Sequence, residues 1–430
     1  MIVFLKCFVN YFLKFYYFFS IIKTLSLNNK IFRGGVIGST RDFGSFSPGS
    51  SPGPGDELII MLKIAVIGWR NFLLVNDAIT EHCREVYRRL VEKGWQFIIF
   101  VKKGTTKVDE YKGIQIVFIP TIKIKFLETL VYCLLSFIWL VTHRSKKDTI
   151  VHLHTIGCGI ILPLLKFVGY KVVTTHHGPD YVRVKWNFIE RAVLKLCEYF
   201  VVTMSDEVFC IATWVKQYVE QKYNKAVVCT PNGLFLRARV LTKNYLKKFS
   251  LEQYKYFLSV GNLVPEKGFL DIVLAYNKLE GTNGWKLVLA VLPEYKDKKY
   301  AEKVLNETKK NKNIVIIENS LQEMLNELFN NAGVFIPTNT YKSVPIYLIN
   351  TIGYNLLTIA SSIKANVVVC KEYPYYYPPD NVFALNYYME KVVDNELKFN
   401  TFNPQLLRGY NWEEVTSIIE GSYKNLFAKC

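Results

Sequence analysis

Thr174-Thr-His-His-Gly-Pro-Asp-Tyr-Val-Arg-Val-Lys-Trp186 is the stretch whose reading decides the fold. An apolar β-type run, Tyr170-Lys-Val-Val-Thr-Thr175, leads into it. A strand that ends in His-His-Gly sets an imidazole at the carboxyl edge of a sheet, where open α/β sheets bind their ligands. Gly178 permits a sharp turn and the close approach of a ligand. Asp180, Arg183, Lys185 and Trp186 follow with polar side chains. Taken alone, the stretch reads equally well as a strand, a turn and a capped helix. The flanks decide.

On both sides of it, strand-like runs alternate with helical ones, the pattern of βαβ units and a parallel sheet. Strands are expected at Leu62–Ile67, Gln96–Val101, Ile114–Ile119, Thr149–Leu153, Val172–Thr175 and Val227–Thr230. A helix over Ala78–Lys93 carries Ile79, Val86 and Leu90 on one side and stops at Gly94. Phe126–Val141 is strongly apolar, with Glu128 its one charge. It is short and sits inside the alternation, so a buried or membrane-facing helix is expected rather than a span. His152 and His154 share one face of a strand beside His176-His177. No Asp or Glu stands at metal-ligand spacing nearby, so packed or hydrogen-bonded histidines are expected, not a metal centre.

After a basic connector at 239–255 the alternation resumes. Tyr256-Phe-Leu-Ser-Val-Gly-Asn-Leu-Val-Pro-Glu-Lys-Gly268 reads as strand, loop and helix start, the helix running over Phe269–Leu279. Backbone N–H groups at a helix start, with Lys267 just ahead, suit a phosphate. Lys286–Val291, Ile314–Ile317, Val334–Ile336 and Leu356–Ala360 are further strands. Pro345 suits the first turn of a helix reaching Tyr354, and Trp412–Phe427 is a terminal helix. Two such halves leave a cleft between sheet ends that suits a nucleotide.

The chain has 430 residues, half of them hydrophobic, and a net charge of +18. That balance fits an anionic ligand or an anionic membrane face, and nucleic acid more distantly. Nine scattered cysteines include no Cys-x-x-Cys pair, so neither a zinc knuckle nor a disulfide framework is indicated. A reducing cytoplasm is the simplest home. Residues 1–60 stand apart. Over 2–22 an apolar, aromatic run carries Lys6, Asn10 and Lys14 every fourth residue, which fits a helix lying in a membrane interface. Residues 34–55 are a Gly/Ser/Pro linker. Met61-Leu-Lys-Ile-Ala-Val-Ile-Gly also reads as a protein start, which would make 1–60 an upstream extension.

In this order the motifs resemble those of GT-B glycosyltransferases of the retaining family 4, in its rhamnosyltransferase-like branch. The carriers are Lys63-Ile-Ala-Val-Ile-Gly68, Pro120-Thr-Ile-x-x-Lys-x-Leu-Glu-Thr-Leu130, His177-Gly-x-Asp-x-x-Arg-x-Lys-Trp186, Pro231-Asn-Gly233 and Ser259-Val-Gly-x-Leu-Val-Pro-Glu-Lys-Gly268. The resemblance spans about 61–370. It implies an α/β GT-B fold, two Rossmann-like domains whose parallel sheets face each other across a cleft. Residues 61–238 would be the acceptor domain, and 239–430, with the terminal helix, the nucleotide-sugar domain. His177 matches the catalytic histidine that contacts the transferred sugar and its leaving phosphate. Lys267 matches the lysine that neutralises the donor diphosphate, with Gly261, Asn262, Lys342, Pro345 and Asn350 completing the donor side. Asp180, Arg183 and Lys185 fall on the acceptor side. No cofactor and no metal are implied; Lys267, helix N-termini and His177 are expected to meet the leaving-group charge.

The departures are specific. Asn262 stands where the family usually has Arg, and the glycine pair after the first strand is replaced near Asn76-Asp77. The family's two spaced glutamates fall on Lys342 and Asn350. Asn350 can still accept a ribose hydroxyl, whereas Lys342 reverses a charge. The expected function is retaining transfer from a nucleotide-diphosphate sugar to a glycan or lipid-linked acceptor, in the cytoplasm or at the inner membrane face. The alternative is an inactive relative serving as a scaffold.

Overall fold

A computed structural model describes residues 62–69, 78–104, 110–111, 113–122, 124–182, 186–233, 242–291, 297–318, 322–337, 346–397 and 409–428. The expectations for 1–60 and for Asn76-Asp77 lie outside these residues.

The first sheet contains β1 (Lys63–Ile67), β2 (Gln96–Lys102), β3 (Glu110–Tyr111), β4 (Ile114–Ile119), β5 (Thr149–His154), β6 (Lys171–His176), β7 (Glu207–Cys210) and β8 (Val228–Cys229). Its order is β3-β4-β2-β1-β5-β6-β7-β8, parallel except for β3 against β4. The chain winds outward from β1 through β2 to β4, then restarts at β5 on the other side of β1. The carboxyl ends of β1 and β5 therefore mark the switch point, the place where such sheets hold ligands. Ile67 pairs with Leu153 and His154 with Thr175, which brings Gly68, His154 and the His176-His177 turn to one edge.

The second sheet contains β9 (Tyr256–Gly261), β10 (Lys286–Val291), β11 (Ile314–Glu318), β12 (Val334–Phe335), β13 (Leu357–Ser361) and β14 (Tyr375–Tyr377), in the parallel order β11-β10-β9-β12-β13-β14. Its switch point lies between β9 and β12, so Gly261 and Asn262 stand there. Both sheets are covered on two faces, which explains why their strands read as unbroken apolar runs; every residue of β9 is buried.

One face of the first sheet packs on the helix Lys125–His143, whose Tyr132, Cys133, Phe137 and Leu140 are buried. Among the described residues no helix is long and apolar enough to cross a membrane. The other face packs on the helix Ala78–Glu92 and on the terminal helix Trp412–Ala428. Sequence order groups that terminal helix with the second half; its packing sets it on the first. Trp412, Val415, Ile419, Tyr423 and Leu426 recur at helical spacing and are buried there. Arg89 Nε meets Glu413 Oε1 at 2.7 Å and Lys93 Nζ meets Glu420 Oε2 at 2.9 Å along its edge. The halves also touch where Ala365, on the helix Lys364–Cys370, joins the first core beside the helix Thr213–Tyr223.

Candidate functional site

The alternation of a strand sends His176 and His177 to opposite sides. His176 Nδ1 accepts the N–H of Gly178 at 3.0 Å, and its Nε2 lies 3.0 Å from Glu198 Oε1. With Nδ1 occupied as an acceptor, Nε2 carries the proton and donates to Glu198. The other Glu198 oxygen accepts from Lys222 Nζ at 2.6 Å and from the hydroxyls of Tyr223, Tyr218 and Tyr181. Burial pushes the Glu198 carboxyl up, but His176, Lys222 and Tyr223 outweigh it and hold the pKa at about 2. A buried anion with this many donors fixes the ring of His176, and His176 in turn fixes the turn at Gly178. That glycine has φ +100, a conformation that side chains other than glycine's rarely take.

His177 turns toward β5. Its Nε2 is 3.0 Å from His154 Nδ1. The other nitrogen of His154 meets the Tyr87 hydroxyl, which also lies 3.0 Å from His152 Nδ1. His152 Nδ1 reaches the Tyr423 hydroxyl of the terminal helix at 2.5 Å, and its Nε2 reaches Thr175 Oγ1 at 2.8 Å. A continuous chain of buried polar groups therefore runs from the terminal helix to His177. Burial drives the imidazoles of His152, His154 and His177 well below their usual range, and the neighbouring histidines push the same way. They are neutral at physiological pH. His177 can thus donate or accept a hydrogen bond as a neutral imidazole. Among the described residues no group of His, Cys, Asp or Glu is arranged to hold a metal ion. Close packing supports the edge: a Cβ on Gly68 would come within 2.1 Å of the His154 carbonyl oxygen, and Gly68 N–H bonds the Tyr132 hydroxyl at 3.0 Å.

His82, which the sequence reading passed over, completes this edge. It lies on the helix Ala78–Glu92, fully buried. Its Nδ1 is 2.9 Å from Asn232 Oδ1, in the Pro231-Asn232-Gly233 turn. Its ring stands edge-on to those of His154, His177 and Trp412, with centroids 6.0 to 6.1 Å apart. The signal was present: a histidine among Cys83, Val86, Tyr87 and Leu90, on the face of an amphipathic helix that should be apolar.

Of the residues expected on the donor side, Gly261, Asn262 and Lys267 lie at and just beyond the end of β9. Gly261 closes the strand and Asn262 follows. Val264 N–H bonds the Asn262 carbonyl and Lys267 N–H bonds the Val264 carbonyl, both at 2.9 Å. These turns bring Lys267 to Gly268, whose φ of +63 opens the helix Phe269–Asn277. Asn262 Oδ1 is buried and has no hydrogen-bond partner. One N–H of the expected phosphate cradle is already used: Leu270 N–H bonds the Tyr300 hydroxyl at 3.1 Å. Of the remaining expected residues, Asp180 accepts the Trp186 indole N–H at 3.2 Å. Arg183, Lys185, Lys342 and Pro345 lie outside the described residues, as does the side chain of Asn350, whose backbone belongs to the helix Ile346–Gly353.

Comparison with known proteins follows the same division. Residues 79–237 match the family described as Glycosyltransferase Family 4, and residues 242–405 match Glycosyl transferases group 1. No curated protein matches the chain. Among solved structures, the sucrose-phosphate synthase from Thermosynechococcus elongatus is similar at 14% identity and TM-score 0.71, over 86% of this chain and 100% of that one. The Anabaena protein HepE, solved with UDP and glucose, is similar at 10% identity and TM-score 0.67, over 85% and 100%. A glycosyltransferase from Rickettsia africae is similar at 15% identity and TM-score 0.62, over 85% and 98%.

Proposed function

We propose, from the premise that this chain is a glycosyltransferase enzyme of the GT-B type with a family 4 and a group 1 domain, that it moves a sugar with retention from a nucleotide-diphosphate sugar to a glycan or lipid-linked acceptor. One observation carries the reading. The chemistry-bearing residues of each half lie by the carboxyl edge of their own sheet: His177 follows β6 and reaches His154 at the end of β5, and Asn262 follows β9, with Lys267 in the turn beyond it. A donor laid between such edges would put its diphosphate near Lys267 and its sugar toward His177. His177 would then act as a neutral hydrogen-bond group, and Lys267 with backbone N–H groups would meet the leaving-group charge. Asp180, Arg183 and Lys185 would serve the acceptor; Gly261, Pro345 and Asn350 would serve the donor. The acceptor is met at the cytoplasmic membrane face, a reading supported by the net charge and by exposed Phe188, Ile189 and Ile124 in the first half.

Two specific observations favour an inactive relative instead: Asn262 in the place of an arginine, and Leu270 N–H already bonded to Tyr300. Calorimetry with a panel of neutral and acidic nucleotide sugars separates the two. An active enzyme binds at least one, and Lys267→Ala weakens that binding by about 1.5–3 kcal/mol, the range for hydrogen bonds to charged groups. Lys342 beside the diphosphate would leave a cation in need of an anionic partner, so donors with an acidic sugar are expected to be preferred. No binding by any member at millimolar concentration supports the scaffold; unchanged affinity in Lys267→Ala removes that lysine from the site.

A further inference from the structure

Phe188 and Ile189 open the helix Phe188–Met204 and are 87% and 68% exposed. At the head of a helix that covers a sheet, large apolar groups are normally turned inward. Ile122, Ile124 and Leu127 are exposed as well, at the start of the helix Lys125–His143. The two helices follow β6 and β4, so both begin at the carboxyl edge of the first sheet. They flank the 3₁₀ stretch Ile156–Ile161: a Cβ on Gly157 would stand 3.7 Å from Thr129 of one and 3.8 Å from Leu194 of the other. Their opening turns therefore gather these apolar residues at one edge. A gathered apolar patch of this kind marks an interaction surface.

The charges around it have one sign. In sequence, 122–127 and 183–195 hold Lys123, Lys125, Arg183, Lys185, Arg191 and Lys195 against a single carboxylate, Glu190. Glu190 is buried and committed within the chain. Its Oε2 accepts the N–H of Asn187 at 2.9 Å, and Asn187 Oδ1 accepts the N–H of Glu190 at 2.9 Å. This closed cap lets the helix end enter a layer poor in water without stranding either N–H. The helix's other carboxylate, Glu198, is buried too, while Arg191 and Lys195 are exposed. Its solvent-facing charges are all cationic.

That pattern chooses the occupant. A two-fold contact with a second copy through this patch would set cations against cations. A bilayer with anionic lipid meets both parts: phenyl and alkyl groups enter the boundary between headgroups and acyl chains, and the cations sit among the phosphates. The exposed aromatics of the second half are covered differently, Phe383 by Lys278 Nζ at 4.6 Å from the ring centroid and Tyr387 by Lys391 Nζ at 5.6 Å.

We propose that the opening turns of these two helices, around Ile124, Leu127, Phe188 and Ile189, form a docking surface for a bilayer containing anionic lipid, laying the carboxyl edge of the first sheet toward the headgroups. The inference deepens the reading that the acceptor is met at a membrane and rests on it for the acceptor alone; the docking itself needs no transfer. Lasting attachment commonly takes two signals, and this surface is one, separate from the apolar run at 2–22.

The full chain, without donor or acceptor, is titrated with vesicles of phosphatidylcholine alone and of phosphatidylcholine mixed with phosphatidylglycerol. It should bind the mixed vesicles, less tightly as salt rises. Backbone amide exchange should slow in peptides covering 122–127 and 187–192 and stay unchanged over 382–393. Phe188→Ser with Ile189→Ser should lower partitioning about tenfold or more, the scale of withdrawing large apolar groups from lipid, at an unchanged melting temperature. Arg191→Gln with Lys195→Gln should lower it about fivefold per cation on the mixed vesicles and leave binding to phosphatidylcholine alone as it was. The docking surface is overturned if the wild type ignores the mixed vesicles, if both variants bind like the wild type, or if exchange over 187–192 does not respond. It is equally overturned if Phe188→Ser with Ile189→Ser turns a solution dimer into a monomer, which would make a second copy the cover. Vesicle binding by a chain that turns over no nucleotide sugar leaves the docking standing and sinks the transfer reading; turnover on a soluble glycan with no vesicle binding does the reverse.

Discussion

At His177 burial and the neighbouring histidines hold the imidazole well below its usual pKa, which favours the neutral ring. A neutral imidazole at a sheet edge acts through the placement of one hydrogen, so its worth appears when bonds tighten in the transition state. His177→Ala should lower kcat by about a hundredfold, the scale of losing one preorganised donor, with a much smaller change in KM. Wild-type turnover in that variant would make the ring structural. The same burial makes the fold acid-sensitive. His82 falls from an ordinary 6.5 to about 4, and His152, His154 and His177 move the same way. Between those values the unfolded chain binds more protons than the native one, so stability drops as pH falls from about 6.5 toward 4. Glu198, held at about 2, adds a second loss below its ordinary 4.5. Thermal melts between pH 7.5 and 4 should show Tm falling from near pH 6.5; a flat profile down to pH 5 would mean the imidazoles are solvated or charged. The strand histidines were legible as residues that pack or hydrogen-bond. The links among them were not, because they join β5, β6 and two helices far apart in the chain.

The elements divide by how much of their surface is buried. Strands covered on both faces, such as β1, β9 and β10, announce themselves as apolar runs. β7 and β14 did not: Glu207–Cys210 begins with a charge, and Tyr375–Tyr377 sits between prolines. The turn after β9 was legible down to Lys267-Gly268, but Tyr300 at the head of the following helix was not, since only folding brings Lys298–Thr308 alongside. Gly233 shows a tighter constraint. A Cβ there would come within 2.6 Å of the Trp412 ring. Gly233→Ala should therefore push Trp412, and with it the terminal helix, off the first sheet, at a cost of about 1–3 kcal/mol as for other overpacked sites. Chemical denaturation checks this; unchanged stability would show that the ring moves aside freely.

Across the whole molecule, Ile59–Cys430 hold together as one compact unit. A chain begun at Met61 should therefore fold with an unaltered melting temperature. If residues 1–22 lie in a membrane interface, the shortened chain should also lose co-sedimentation with anionic vesicles. Aggregation with a lowered melting temperature would instead make the leading residues part of the core. The βα alternation and the two-sheet architecture were written in local pattern. The return of Trp412–Ala428 to the first sheet was not, because an amphipathic stripe declares that it must be covered without saying by what.

That return has a consequence for synthesis. Chains usually complete their leading domain while the rest is still being made. Here the first sheet lacks part of its cover until the terminal helix has left the ribosome, and His152 lacks the Tyr423 hydroxyl until then. The second half can finish first, although it is made last. The ring-to-ring chain ending at His177 is closed only once Tyr423 has been made and has folded back, so a polypeptide stalled or clipped before Trp412 would carry an intact second sheet beside an unfinished first one.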